Sequence, residues 1–179
     1  LTQVYETNKW RSEFVYDGKM RRRISREYQW VSASWVMTNE CRYVYDGNLV
    51  IQERDLDNRP QVSYTRGRDL SGSLQGAGGI GGLLARTDSA DSTHLFYHSD
   101  GNGNVTALES SQERIAGKYL YDPFGNTLAI SGSAAEVNRY RFSSKELHAN
   151  SGLIYYLYRF YDANLQRWPN RDPIGEGGG

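Results

Sequence analysis

An aromatic residue, a spacer, a second aromatic residue, an aspartate and a turn: this short pattern recurs along the chain and restricts its architecture more than any other feature. Phe14-Val-Tyr16-Asp17-Gly18, Tyr43-Val-Tyr45-Asp46-Gly47-Asn48 and Tyr119-Leu-Tyr121-Asp122-Pro123-Phe124-Gly125-Asn126 follow it, and Phe96-Tyr97-His98-Ser99-Asp100-Gly101-Asn102-Gly103-Asn104 is a looser copy. Side chains two apart on a strand share a face, so each aromatic pair marks one face of a strand. Asp-Gly then supplies the positive-φ positions of a tight hairpin, and the carboxylate accepts a hydrogen bond from the backbone two residues on. Asp122, Pro123 and Gly125 take the first, second and fourth places of a type I turn, where each is favoured. These aspartates are read as turn residues rather than catalytic acids, and each copy as a hairpin. Internal repetition decides an architecture before any local reading does.

Strand-like runs leave the turns, Leu49 to Glu53 after the second copy and Thr127 to Ile130 after the third. The 14 tyrosines suit strands with apolar faces and wet edges, and the 19 glycines suit the turns between them. The expected fold class is all-β, with successive hairpins forming a curved or spiralling antiparallel sheet. A chain of 179 residues can bury a sizeable core. Its 21 basic and 21 acidic residues cancel, so no global field favours nucleic acid or an anionic membrane. Cys41 is alone and excludes an internal disulfide. No apolar run reaches the roughly 18 residues of a membrane span. Leu1 is not an initiator methionine and no signal peptide opens the sequence, so the chain is expected to be a piece of something longer.

Between the repeats the signals are local. Tyr28 to Met37 carries Trp30 and Trp35 in partial alternation and predicts a strand, with a turn around Arg26-Glu27 as one way into it; its tryptophans suit a sheet face better than a sugar platform. Arg21-Arg22-Arg23 with Arg26 reads as a solvated strand or turn edge. Gly76-x-Gly78-x-x-Gly81 formally matches a dinucleotide fingerprint, but that needs a βαβ unit, and a chain of hairpins offers none. A glycine-rich connection near residues 71–82 is the expected use. His94 and His98 share a strand face without a third ligand, and with His148 they read as ordinary polar residues. Asn104-Val105-Thr106 is a glycosylation acceptor by pattern only. No cofactor or metal site is expected.

Near the end, Leu153 to Tyr161 is almost wholly apolar or aromatic and predicts one strand covered on both faces. Alternation places Tyr155, Leu157, Arg159 and Tyr161 on one face and Ile154, Tyr156, Tyr158 and Phe160 on the other. Arg159 would stack on the rings or hold a carboxylate. Ser143-x-x-Glu146 offers a capping box for a short helical turn that Asn150-Ser151-Gly152 ends. The expected core tyrosines are Tyr16, Tyr45, Tyr121, Tyr156, Tyr158 and Tyr161.

Tyr155-Tyr156, Arg159-Phe160-Tyr161-Asp162, Arg167-Trp168 and Asp172-Pro173-x-Gly175-x-x-Gly178-Gly179 fall in the order and spacing of the core signature of Rhs proteins, which this stretch resembles. The tyrosine-aspartate hairpins likewise resemble the YD repeat of that family, so the resemblance runs from about Phe14 to Gly179. It implies two parts: a repeat region over residues 1–139 with its glycine-rich connection, and a core segment over residues 140–179 that is incomplete at its end. It also implies a β-shell with the core segment inward as a plug, enclosing a toxic C-terminal polypeptide. In many members self-cleavage by paired aspartates releases that polypeptide.

By motif position Asp172 would be one carboxylate of such a pair and Arg159 its supporting arginine. The second aspartate is expected beyond Gly179, and one carboxylate beside an arginine has no partner with which to share a proton. No protease turnover is therefore expected from this chain alone; a restored tail would make it a self-cleaving core. The implied role is containment and release. The implied partners are a C-terminal toxin cargo or further shell sequence, with no nucleic acid and no membrane span, in a bacterial protein that is secreted or held at the cell surface. The alternative is an adhesin or a self-associating protein that uses its open sheet edges.

Overall fold

The computed structural model describes residues 1–171. Eleven strands form one antiparallel sheet in which spatial order is sequence order. They are β1 (Gln3–Glu6), β2 (Trp10–Tyr16), β3 (Arg22–Val31), β4 (Ser34–Asp46), β5 (Leu49–Arg54), β6 (Pro60–Arg66), β7 (Leu83–Asp88), β8 (His94–Ser99), β9 (Val105–Ser110), β10 (Ile115–Tyr121) and β11 (Thr127–Ser131). A small second sheet holds β12 (Glu146–Leu147), β13 (Ile154–Tyr156) and β14 (Arg159–Tyr161). The fold is all-β, as the repeats predict.

One turn recurs. At Asp17, Asp55, Asp100, Ser110 and Asp122 the N–H bonds the carbonyl four residues on, while the N–H three residues on returns to the first carbonyl. The residue three on is left-handed each time: Met20, Asn58, Gly103, Glu113 and Gly125. This is a type I turn closed by a bulge, a geometry that keeps the strand twist. At Asp17, Asp100 and Asp122 the carboxylate stabilises it by accepting from the backbone two and four residues on, as Asp122 does from Phe124 N (2.8 Å) and Asn126 N (2.9 Å). In the first copy the left-handed place falls on Met20 and not on Gly18, which corrects the Asp-Gly reading there. Asp46-Gly47-Asn48 makes a tighter turn with Gly47 at φ 56°.

The stretch from Tyr28 to Met37 is a hairpin rather than one strand. Ser32 and Ala33 both take positive φ between β3 and β4, Trp30 meets Trp35 with ring centroids 5.0 Å apart, and Arg26-Glu27 lies within β3. The glycine-rich loop between β6 and β7 is closed by Gly67 N–H on Gly82 O (2.7 Å) and folds round Asp69, whose carboxylate accepts from the N–H groups of Ser71, Ala77 and Gly79. It makes no βαβ unit.

In the repeats the core is set two positions before the expected tyrosines. Phe14, Tyr43 and Tyr119, the first aromatic of each pair, are buried together with Tyr64, Tyr97 and Tyr140. Tyr16, Tyr45 and Tyr121 are half-buried at the strand ends, where their hydroxyls reach Leu1 O, Arg22 O and Val105 O. Tyr156 and Tyr161 are half-buried too, and Tyr158 is 46% exposed. A residue next to the turn sits at the rim of the sheet, whereas the one two places earlier lies over its middle.

Candidate functional site

After β11 the chain turns back and crosses the face that carries the buried aromatics. Ala134 N–H bonds Ala116 O (2.8 Å), Tyr119 Oη donates to Ala135 O (2.9 Å), and Tyr97 Oη donates to Asn138 Oδ1 (2.9 Å). Farther along, Ser144 Oγ donates to Gly103 O (2.7 Å) and accepts from Gly81 N–H (3.1 Å). His148 Nε2 lies 2.9 Å from Ser12 Oγ, back at β2. The inner segment thus spans the sheet from β10 to β2, and the sheet curves around it.

The seat of this segment is an arginine that composition assigns to solvent. Arg22 is 1% exposed, which corrects the reading of Arg21 to Arg26 as a solvated edge. Its guanidinium lies among three rings, with Cζ 4.5 Å from the Tyr43 centroid, 4.4 Å from Tyr155 and 5.4 Å from Phe14, and its Nη2 bonds Glu146 Oε2. Tyr43 Oη donates to the other carboxylate oxygen (3.2 Å), and Arg22 N–H bonds Tyr155 Oη (3.1 Å). Burial works against the charge on Arg22, but Glu146 and the surrounding tyrosines outweigh it and hold the guanidinium charged. Arg22 Nε and Nη1 have no hydrogen-bond partner among the described residues; the ring faces stand in for acceptors.

Glu146 is consequently no capping residue. The expected helical turn is a single 3₁₀ turn, Phe142–Ser144, with Ser143 and Ser144 both at positive φ and no side-chain cap, and Glu146 opens β12. Beside it lies a second buried acid, Glu53, which accepts from Tyr64 Oη (2.7 Å) and sits 3.7 Å from Cys41 Sγ. Burial first and Glu146 second push the Glu53 carboxyl up. His148 is buried as well, with Nδ1 2.7 Å from Ser151 Oγ, so it too departs from the ordinary polar residue expected. No signal in local pattern marks Arg22 or Glu146. Arg22 stands in a basic run and Glu146 at a capping-box position, neither of which implies burial, and 124 positions separate them.

The continuous strand expected from Leu153 to Tyr161 is a hairpin: Leu157 turns at φ 61°, and Tyr155 faces Phe160 across β13 and β14. The alternating faces drawn through Leu157 therefore do not hold. Arg159 does stack, its Cζ lying 4.2 Å from the Trp168 centroid, and Trp168 in turn meets Tyr156 and Tyr161 at 5.2 and 5.3 Å. Asp172, the acid paired with Arg159 by motif, lies outside the described residues. Asn104 donates its amide nitrogen to Asp100 Oδ2 (2.9 Å) and is buried, a poor acceptor for a glycan. Among the described residues no three metal-binding side chains cluster, and no helix is long and apolar enough to cross a membrane.

No family model matches the sequence. It is 31% identical over 138 residues to the tRNA3(Ser)-specific nuclease WapA of Bacillus spizizenii, covering 75% of this chain and 5% of that protein. It is 28% identical over 145 residues to the double-stranded DNA deaminase toxin A of Burkholderia cenocepacia, covering 77% of this chain and 10% of that one. The crystal structure of TcdB2-TccC3-TEV matches with a TM-score of 0.68 at 21% identity, over 98% of this chain and 8% of that chain. The chain thus spans a small part of the proteins it matches. Its sequence likeness to the WapA nucleases and its fold likeness to TcdB2-TccC3 together support an Rhs-type relation, the one its tyrosine-aspartate hairpins imply.

Proposed function

We propose that this chain is a wall segment of an Rhs-type shell, exported as part of a longer bacterial protein, whose role is to contain a C-terminal toxin polypeptide and later release it. The observation that carries this reading is the inner segment laid across the curved sheet and anchored by the buried Arg22–Glu146 pair. A wall whose inner face is lined by its own chain offers a fixed place from which a following polypeptide starts inside. The outer strands β1 and β11 have one neighbour each in the sheet, so flanking repeats of the longer protein can extend the wall from both sides.

The test is limited trypsin digestion of the full-length protein, following the polypeptide that comes after this segment. Wild type is expected to be cut there about tenfold or more slowly than Glu146→Ala, because cleavage follows the population of the open form. Equal cutting rates overturn the containment reading. Self-cleavage is a separate proposal resting on Asp172 and Arg159, and the stacking of Arg159 on Trp168 supports a packing role for that arginine in the meantime. Intact mass decides it: a longer protein that splits as wild type and stays whole as Asp172→Asn makes Asp172 a working acid, and two unsplit proteins remove the idea.

A further inference from the structure

A small cavity lies where the inner segment meets β5 and β6, bordering the Arg22 cage, whose Tyr155 is among its lining residues. Its volume is about 40 Å³, and Val50, Arg66, Tyr140, Lys145 and Asn48 are among its lining residues. Two of these are cations. Arg66 spends Nε and Nη2 on a single acceptor, Val50 O, at 3.1 and 3.0 Å, and neither bond uses Nη1. Lys145 Nζ donates to Gly78 O and lies 5.7 Å from the Tyr156 centroid, an arrangement that leaves further N–H groups to place. Glu146 also lines the cavity, but its oxygens are occupied by Arg22 and Tyr43.

The independent sign of a ligand is Tyr140. This residue is 5% exposed, its ring packs beneath Arg66 with Cζ 5.1 Å from the centroid, and its hydroxyl has no hydrogen-bond partner among the described residues. Buried hydroxyls are nearly always bonded, so one left over on a residue that lines the same cavity as two cations calls for an acceptor. We propose that the cavity is a binding site for one small anion, a halide or a carboxylate group, held by Lys145, Arg66 and the Tyr140 hydroxyl.

The chemistry of the lining agrees. An acceptor without donors of its own satisfies a hydroxyl and two cationic groups at once, which a water molecule does less well because it brings protons that need acceptors. The Lys145 amine is lowered to about 8, by burial first and by Arg66 second, with Asp69 opposing. An anion between the cations removes that mutual repulsion. The volume exceeds what one water needs and suits one small anion. Bound there, the anion would tie the inner segment, through Tyr140 and Lys145, to β6, through Arg66.

The experiment is thermal unfolding of the protein in a large-ion buffer with added chloride, formate or gluconate at equal ionic strength. Chloride and formate are expected to raise the midpoint by about 4 °C more than gluconate once they reach ten times their dissociation constant. Tyr140→Phe is expected to lose this selective rise while unfolding no earlier than wild type in gluconate, since it deletes only an unpartnered hydroxyl. Lys145→Met should lose the rise as well; if it fails to fold, Tyr140→Phe decides alone. Equal shifts from all three anions, or a full chloride or formate effect in Tyr140→Phe, overturn the site and leave screening or water in its place. A short peptide with a free C-terminal carboxylate, set against its amide, separates the sources: selective stabilisation by the acid points to a chain-borne carboxylate, and no difference to the free ion.

Discussion

The sheet and the segment that lies across it are held together by different means. In the sheet every strand pairs with its neighbour in sequence, and the turns at Asp17, Asp55, Asp100 and Asp122 each carry their own carboxylate clamp, so the cohesion is local and repeated. The inner segment has only short strands, and its position is set by contacts between residues far apart in the chain: Arg22 with Glu146 and with Tyr155, Ser12 with His148. A repetitive structure loses stability in small increments when one unit is damaged. A seat made of a few buried groups concentrates its loss. Substitutions in the two regions should therefore differ in size and also in kind.

The largest difference is expected at the Arg22–Glu146 pair. Glu146→Ala leaves a guanidinium buried among rings with no counter-charge and should destabilise by about 3–5 kcal/mol in urea unfolding. Replacing both partners, Arg22→Met with Glu146→Leu, should recover most of that, because the desolvation cost goes with the charges. If the double variant is as unstable as the single one, the aromatic cage matters more than the ion pair. Next in size is the pair Tyr43→Ala and Tyr158→Ala. Tyr43 is 1% exposed and should cost about 3 kcal/mol, whereas Tyr158 should cost less than about 0.5 kcal/mol by the same assay. Similar values for both would mean that the aromatic positions contribute alike, and the contrast between core and rim would fail.

How much of this was legible follows the same division. Asp17, Asp100 and Asp122 announce their turns because the clamp is made within five residues, and a pattern that short is visible in sequence. Leu157 and the Ser32-Ala33 turn were invisible: neither has glycine, proline or aspartate at the reversal, and cross-strand packing such as Trp30 on Trp35 makes up for the strained backbone. The order of depth within each aromatic pair depends on how far a residue stands from the sheet rim, which needs strand register. Arg22 reads as one of three successive basic residues. Only the arrival of Glu146 and Tyr155 from the other end of the chain makes its burial possible, and no local window contains them.

Smaller effects are expected within the turns. Gly125 stands at φ 98° and a Cβ there would meet Phe142 at 2.6 Å, so Gly125→Ala strains the backbone and pushes the inner segment at once. About 1–3 kcal/mol should be lost. Gly18 has open space and an ordinary φ, and Gly18→Ala should be neutral or stabilise by up to about 1 kcal/mol. Thermal midpoints of the two variants compare them directly. A marked loss at Gly18 would show that the first turn moves during folding or binding in a way the other turns do not.

The finest separation comes from pH. The Asp100 and Asp122 carboxyls are held below their ordinary value by hydrogen bonds, for Asp122 from the Asn126 amide first, and Asp69 is lowered to about 2, by the Ser71 hydroxyl first and by backbone N–H groups. A group lowered on folding contributes stability that is present above its unfolded value and lost as pH falls through its folded one. The turns should thus produce the acid arm of a stability profile. Glu53, under the inner segment, is raised from 4.5 by burial and by Glu146. Its contribution is complete below 4.5 and fades as pH rises through the folded value, so it works against the turn carboxylates on the neutral side. Glu53→Gln should flatten the decline of stability with rising pH and leave the acid arm intact, while Asp122→Asn should blunt the acid arm alone. Urea midpoints measured between pH 3 and 8 resolve the two. If Glu53→Gln leaves the neutral side unchanged, Glu53 ionises without consequence for folding, and the inner segment depends on the Arg22–Glu146 pair without a second acid beside it.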